Sequence, residues 1–221
     1  FFFIYNFLPN RKLGRYFFFT KSDKYQNYYK LYNTVQQLIK KKKIKKVLEI
    51  GVGGHDLDYQ GGGSLRGLSY FFTKAKVYGI DLMEKKFLDS SKIKTFIGSQ
   101  NDSIFLNKFG KENGAFDIII DDGSHFVNHQ FKTFHNLYKY LNNDGIYILE
   151  DLSGSYKISS NGDPKLSPKK NVPEFFSKLV HSTNSKFLTK KILKKKKYLD
   201  ISKILFFEHA IVIQKKNKVL K

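Results

Sequence analysis

Three short clusters hold the side chains of this chain best suited to chemistry: Glu49-Ile50-Gly51-Val52-Gly53-Gly54, Asp121-Asp122-Gly123-Ser124-His125 and Glu150-Asp151. Carboxylates brought together repel one another unless a positive charge lies among them. Asp122, Glu150 and Asp151 offer hard oxygen donors of the kind that hold magnesium, with water and a substrate oxygen completing the shell. His125, three residues after Asp122, could take a proton from a hydroxyl that such a cation acidifies. Gly51 and Gly53 let backbone approach a ligand closely, and Glu49 could accept hydrogen bonds from it. Each piece also has a plainer reading. The glycines could form a tight turn, Asp151 could cap one, and His125 could open a helix. His125 and His129 have the i,i+4 spacing of a zinc pair, but no third partner is apparent.

The elements that must position these residues are legible around them. Each cluster follows a run that reads as a buried parallel strand, at 46–48, 116–120 and 146–149, within strands expected at 46–50, 116–121 and 145–150. Further strands are expected at 76–80 and 93–97, with helices at 64–73, 102–109 and 126–141 between them. This alternation predicts an α/β fold with a parallel sheet and right-handed crossovers. Ligands of such sheets bind outside the carboxyl ends of the strands, where all three clusters fall. Asp81 ends the second strand, where an acidic side chain can take a ribose diol. The glycines depart from a dinucleotide fingerprint, because His55 to Gly63 intervene before a helix is plausible; a cofactor without pyrophosphate is the better expectation. Apolar positions spaced by three and four predict a lead-in helix over 22–43. Residues 153–173, rich in Ser, Gly, Asn, Lys and Pro, read as a loop or lid. The strands expected at 201–207 and 209–214 are too close to pair other than antiparallel. The chain thus divides into an aromatic and helical lead-in at 1–43 and a main domain at 44–221.

Composition narrows the function further. The chain has 221 residues, 41% hydrophobic and 27% charged, as expected of a globular protein. The absence of cysteine excludes disulfides and thiolate metal sites and suits a reducing compartment, so a cytoplasmic protein is expected. The aromatic stretches at 1–8 and 16–19 are shorter than the roughly 20 apolar residues that a membrane span needs. The stretch at 1–8 is instead expected to pack on the body. The net charge of +21 invites a nucleic-acid partner. Against it, the basic residues are nearly all lysine, with only Arg11, Arg15 and Arg66 as arginines, and Arg is the preferred reader of phosphate and guanine. The lysine runs therefore read as solvated surface.

At these residues the sequence resembles class I S-adenosylmethionine-dependent methyltransferases, and within them the metal-dependent macrolide and tetracenomycin sugar O-methyltransferases; cephalosporin-hydroxylase-type methyltransferases are more distant. The similar stretches are Val47 to Gly54, Gly62-Gly63-Ser64-Leu65-Arg66, Tyr78-Gly79-Ile80-Asp81, Gly98 to Asp102, the IIIDDGSH run ending at His125, and Tyr147 to Leu152. Lys24, Tyr28 and Tyr32 resemble the family's lead-in helix. The resemblance covers about residues 22–215. It implies a Rossmann-like, seven-stranded, mostly parallel sheet in the order 3-2-1-4-5-7-6, with helices on both faces. It implies S-adenosylmethionine held by Glu49, Gly51, Gly53, Ser64, Asp81, Ser99, Gln100 and Asp121, magnesium held by Asp122, Glu150 and Asp151, and His125 as general base. The implied acceptor is a hydroxyl of a sugar or glycosylated small molecule. The lead-in region is smaller than in some members and the 153–173 stretch has its own sequence, which leaves acceptor identity and any homo-oligomer open. Two other readings are a nucleic-acid or protein methyltransferase on the same scaffold and a non-enzymatic basic binding module.

Overall fold

A computed structural model describes residues 12–54, 60–194 and 200–217. The stretch at 1–8, part of the loop after the glycines and part of the 194–197 lysine run lie outside the described residues.

Seven strands form one sheet: β1 Lys46–Ile50, β2 Lys76–Asp81, β3 Ile93–Ile97, β4 Phe116–Asp121, β5 Leu141–Leu149, β6 Ile201–Phe207 and β7 Ala210–Lys215. Their order is 3-2-1-4-5-7-6, as expected, with β7 antiparallel to both neighbours and the other pairs parallel. The helices are α1 Leu13–Phe19, α2 Lys24–Asn27, α3 Tyr29–Leu38, α4 Gly63–Phe71, α5 Ser103–Asn113, α6 Val127–Leu137, α7 Val172–Ser177, α8 Val180–Thr183 and α9 Lys190–Leu193.

Strand alternation sends successive side chains to opposite faces, and each face buries its own core. On one face Val47, Val77, Ile118, Ile120 and Ile148 pack with Leu13 and Phe17 of α1, Tyr32 and Val35 of α3, and Leu65 and Leu68 of α4. On the other, Leu48, Ile50, Ile119, Tyr147 and Leu149 pack with Leu106 and Phe109 of α5, Val127 and Phe134 of α6, and Phe176 of α7. β4 is buried along its whole length, which explains its apolar Ile118-Ile119-Ile120 run.

Two elements differ from the sequence-based expectations. The helix expected over 22–43 breaks at Tyr28, which lies at φ −126° and ψ 19°, and gives α2 and α3. Residues 13–19 form a helix with Leu13, Tyr16 and Phe17 buried, although an aromatic run carries no clear helical period. Residues 153–173, expected as a loop or lid, are a loop held at both ends. Two 3-10 turns, Leu152–Tyr156 and Ile158–Ser160, lead to fully buried Asn171. Its side chain donates to Ser155 O at 3.0 Å and accepts from Glu174 N at 3.0 Å, capping α7. Among the described residues no helix is long and apolar enough to cross a membrane. Lys40, Lys41 and Lys43 are exposed, in keeping with a solvated run.

Candidate functional site

The carboxyl ends of β1, β2 and β4 frame one cavity of about 610 Å³, within the range typical of small-molecule and cofactor pockets. Its walls include Gly51, Gly53, Ser64, Asp81, Ser99 and Gln100 of the expected cofactor set, with Asp122 and His125. Gly51 has φ +86°, and an added Cβ would lie 2.0 Å from the Asp122 carbonyl oxygen. The backbones leaving β1 and β4 therefore nearly touch, and only glycine fits. Gly53 also has a positive φ, +75°, but open space around its Cβ position.

Two of the expected cofactor residues stand behind this wall. Glu49 is fully buried, and its Oε2 accepts from Ser64 Oγ at 2.6 Å. Asp121 is also fully buried, bonded by Gln100 Nε2 at 3.1 Å and Tyr147 Oη at 3.3 Å. Burial pushes both carboxyl groups up to about 7, against the hydrogen bonds they accept. Gln100 also accepts from Ser124 N at 2.5 Å, so it braces the loop that carries His125. Asp81 accepts from Val52 N at 2.8 Å and Met83 N at 2.9 Å, holding the glycine turn against the end of β2.

Lys24, at the start of α2, occupies the centre of the acidic cluster. Its ammonium lies 2.5 Å from Asp122 Oδ2, 2.5 Å from Glu150 Oε2 and 3.3 Å from Glu49 Oε1. The lysine is 1% exposed. Burial opposes its charge, but the attraction of Asp122 and Glu150, helped by Glu49, wins and holds its pKa well above the ordinary value. The other Glu150 oxygen accepts from Tyr32 Oη. One ammonium thus faces three carboxylates in a desolvated site, and burial pushes Glu150 up although Lys24 pulls the other way. Removing one partner from a buried ion pair typically costs roughly 3–5 kcal/mol.

Asp151 and His125 form the outer part of the site. β5 ends at Leu149, so Glu150 and Asp151 escape the strand alternation that would otherwise set them on opposite faces. Glu150 turns inward to Lys24, while Asp151 Oδ2 lies 3.9 Å from His125 Nε2. Both residues have left-handed backbones, φ +60° for His125 and +46° for Asp151. Such strain in non-glycine residues gathers at functional sites. Tyr28 Oη accepts from Asp151 N at 3.1 Å and Gln130 Nε2 donates to Glu150 O at 3.1 Å, fixing this turn from both sides. His125 Nδ1 is buried and has no hydrogen-bond partner, which leaves Nε2 as the available nitrogen. His129, a further cavity residue, has its Nδ1 2.7 Å from Ser124 Oγ.

Among the described residues, no group of three or more His, Cys, Asp or Glu side chains is arranged to hold a metal ion. The donor chemistry nevertheless suits one. Asp122 and Glu150 already share a single cation, the Lys24 ammonium, and Asp122 opens onto the cavity. Tyr28 and Tyr32 belong to the three-and-four spacing of the lead-in segment and Lys24 to its family resemblance, but neither signal points to the carboxylates that these side chains meet.

No family model matches the chain. Over 111 residues it is 42% identical to the 8-demethyl-8-(2-methoxy-alpha-L-rhamnosyl)-tetracenomycin-C 3'-O-methyltransferase of Streptomyces olivaceus, a stretch covering 50% of this chain and 28% of that protein. It is 43% identical over 111 residues, with the same shares, to the mycinamicin VI 2''-O-methyltransferase of Micromonospora griseorubida. Among solved structures, the MycE methyltransferase of the mycinamycin biosynthetic pathway in complex with Mg and SAH matches with a TM-score of 0.85 at 27% identity. That match covers 96% of this chain and 56% of MycE, which has also been solved with Mg, SAH and mycinamycin VI. The chain spans well under two thirds of the length of these relatives.

Proposed function

From the class I S-adenosylmethionine-dependent methyltransferase fold that this chain has, we propose that it transfers a methyl group from S-adenosylmethionine to a hydroxyl of a sugar or glycosylated small molecule, with magnesium assisting. The observation that carries this reading is the convergence of the glycine-walled cavity, the Asp122–Glu150 cation site and the His125–Asp151 pair at the carboxyl end of the central strands. The sugar O-methyltransferases among its relatives give the acceptor class.

In this reading Gly51, Gly53, Ser64, Asp81, Ser99 and Gln100 border the cofactor, while Glu49 and Asp121 support that wall from behind. Asp122, Glu150 and Asp151 would hold magnesium. The cofactor supplies the methyl group and the ion supplies Lewis acidity to the acceptor hydroxyl. His125 Nε2 takes the acceptor proton, and the Asp151 carboxylate stabilises the imidazolium. Orientation by the cavity walls does much of the remaining work, since the reactive group arrives on the cofactor.

The test is mass spectrometry of products after incubation with cofactor, magnesium and a panel of glycosides. A gain of one methyl group on a glycoside hydroxyl, lost on chelation, is expected. Methylation of DNA, RNA or protein with every glycoside left untouched would replace this reading by the alternative favoured by net charge.

Asp81 gives a separate test. In this reading it accepts from the ribose hydroxyls, while its bonds from Val52 N and Met83 N hold the glycine turn. Asp81→Ala should weaken cofactor affinity by about tenfold or more, since a hydrogen bond to a charged group is worth roughly 1.5–3 kcal/mol. Calorimetry checks this, and unchanged affinity in a folded variant removes Asp81 from the cofactor site.

A further inference from the structure

We infer that Lys24 is an exchangeable internal cation, holding the place between Asp122 and Glu150 that the divalent ion must take. The inference rests on the magnesium-assisted reading above and adds a residue that works against ion binding.

The geometry gives three reasons. First, the ammonium makes its close contacts with the side-chain oxygens of two of the expected metal ligands, 2.5 Å from each. A magnesium–oxygen bond is about 2.0–2.1 Å, so an ion on those oxygens would lie in contact with Nζ. Two positive centres at that separation repel strongly in a site shielded from water. Second, Glu49, Asp122 and Glu150 together face the one ammonium, so the cluster holds more carboxyl groups than a monovalent cation can neutralise when they ionise, and a divalent ion suits it better. Third, the exchange has a route. Asp122 is the one of these carboxylates whose side chain is partly exposed, at 22%, and it lines the cavity. Lys21, Ser22 and Asp23, just before Lys24, line the same cavity, so the released side chain has open space beside it. Tyr32 continues to hold the second Glu150 oxygen and keeps that carboxylate oriented.

Lys24 therefore satisfies the buried carboxylates before the ion arrives, and competition with its ammonium lowers divalent affinity. A lysine that stays in place beside the ion would also oppose it electrostatically, so tighter binding after its loss shows competition, and exposure of Lys24 on ion binding shows exchange.

The experiment titrates the whole chain and its Lys24→Met variant with magnesium chloride by calorimetry. The variant should bind magnesium about tenfold or more tightly, within the usual range of coupling between two sites. Equal or weaker binding by the folded variant overturns the inference. Because that variant leaves buried carboxylates without their cation, a second measurement uses the unaltered protein. Its lysines are acylated with and without saturating magnesium, and modification is mapped by mass spectrometry. Lys24 should be protected without magnesium and modified with it; protection in both conditions overturns the inference. If magnesium binds while Lys24 stays protected, the proposed function stands and the exchange alone fails. If neither protein binds magnesium, the exchange and the metal part of the proposed function fall together.

Discussion

His125→Ala is expected to lower methyl-transfer turnover by roughly 10²–10⁴-fold, the usual contribution of a positioned general base. The variant should stay folded and keep its cofactor. His125 Nδ1 makes no hydrogen bond, and Nε2 faces Asp151 at 3.9 Å across a partly exposed mouth, so little stabilising interaction is lost. Alanine must adopt the same left-handed backbone at φ +60°, so that strain is largely common to both proteins. Added magnesium should not restore the rate, because Asp122, Glu150 and Asp151 are untouched. The measurement is turnover against magnesium concentration, with cofactor affinity and thermal melting as controls. A His125→Ala protein of full activity removes His125 as the base. His129, the other cavity histidine, would then be next to test.

The parts of this site that the sequence made legible are those fixed by local pattern. The strand runs before Glu49, Asp122 and Glu150 read correctly because a parallel strand buried on both faces is nearly continuous in apolar residues, as at Ile118-Ile119-Ile120 of β4. The short gap between the last two strands required their antiparallel pairing, now seen between β6 and β7. Long-range contact, by contrast, leaves no local trace. Lys24 reaches Asp122 and Glu150 across 98 and 126 residues, and no periodicity links such positions. The break at Tyr28 was hidden for a related reason. No Gly or Pro marks it, and the Tyr28 hydroxyl instead bonds Asp151 N, a partner 123 residues away. Glu49 and Asp121 are both buried, where Ser64 and Gln100 meet them, and a position at a strand end does not by itself reveal such partners.

Gly51→Ala is expected to remove measurable cofactor binding and to destabilise the protein by about 2–5 kcal/mol, combining backbone strain with overpacking. At φ +86° an alanine is strained whatever the space, and here there is none. The new Cβ would lie 2.0 Å from the Asp122 carbonyl oxygen, 2.6 Å from its carbon and 2.8 Å from Gly123 Cα. All three are backbone atoms, so no rotamer change relieves the overlap, and the ends of β1 and β4 must move apart. The Asp122 N to Ile50 O bond, 2.9 Å, resists that separation, and the Gly51 N to Ile80 O bond, also 2.9 Å, ties the same turn to β2. The same shift would displace Asp122 from Lys24 and widen the cavity wall. Gly53→Ala is the control, because Gly53 shares the positive φ, +75°, but has nothing within 4 Å of the Cβ position. That variant should show only the conformational cost in stability, of order 1 kcal/mol. Thermal melting of the two variants side by side separates close approach from strain, and calorimetric titration of Gly51→Ala checks the loss of cofactor binding. Equal losses in both would show that the contact between the β1 and β4 loops does not govern the site.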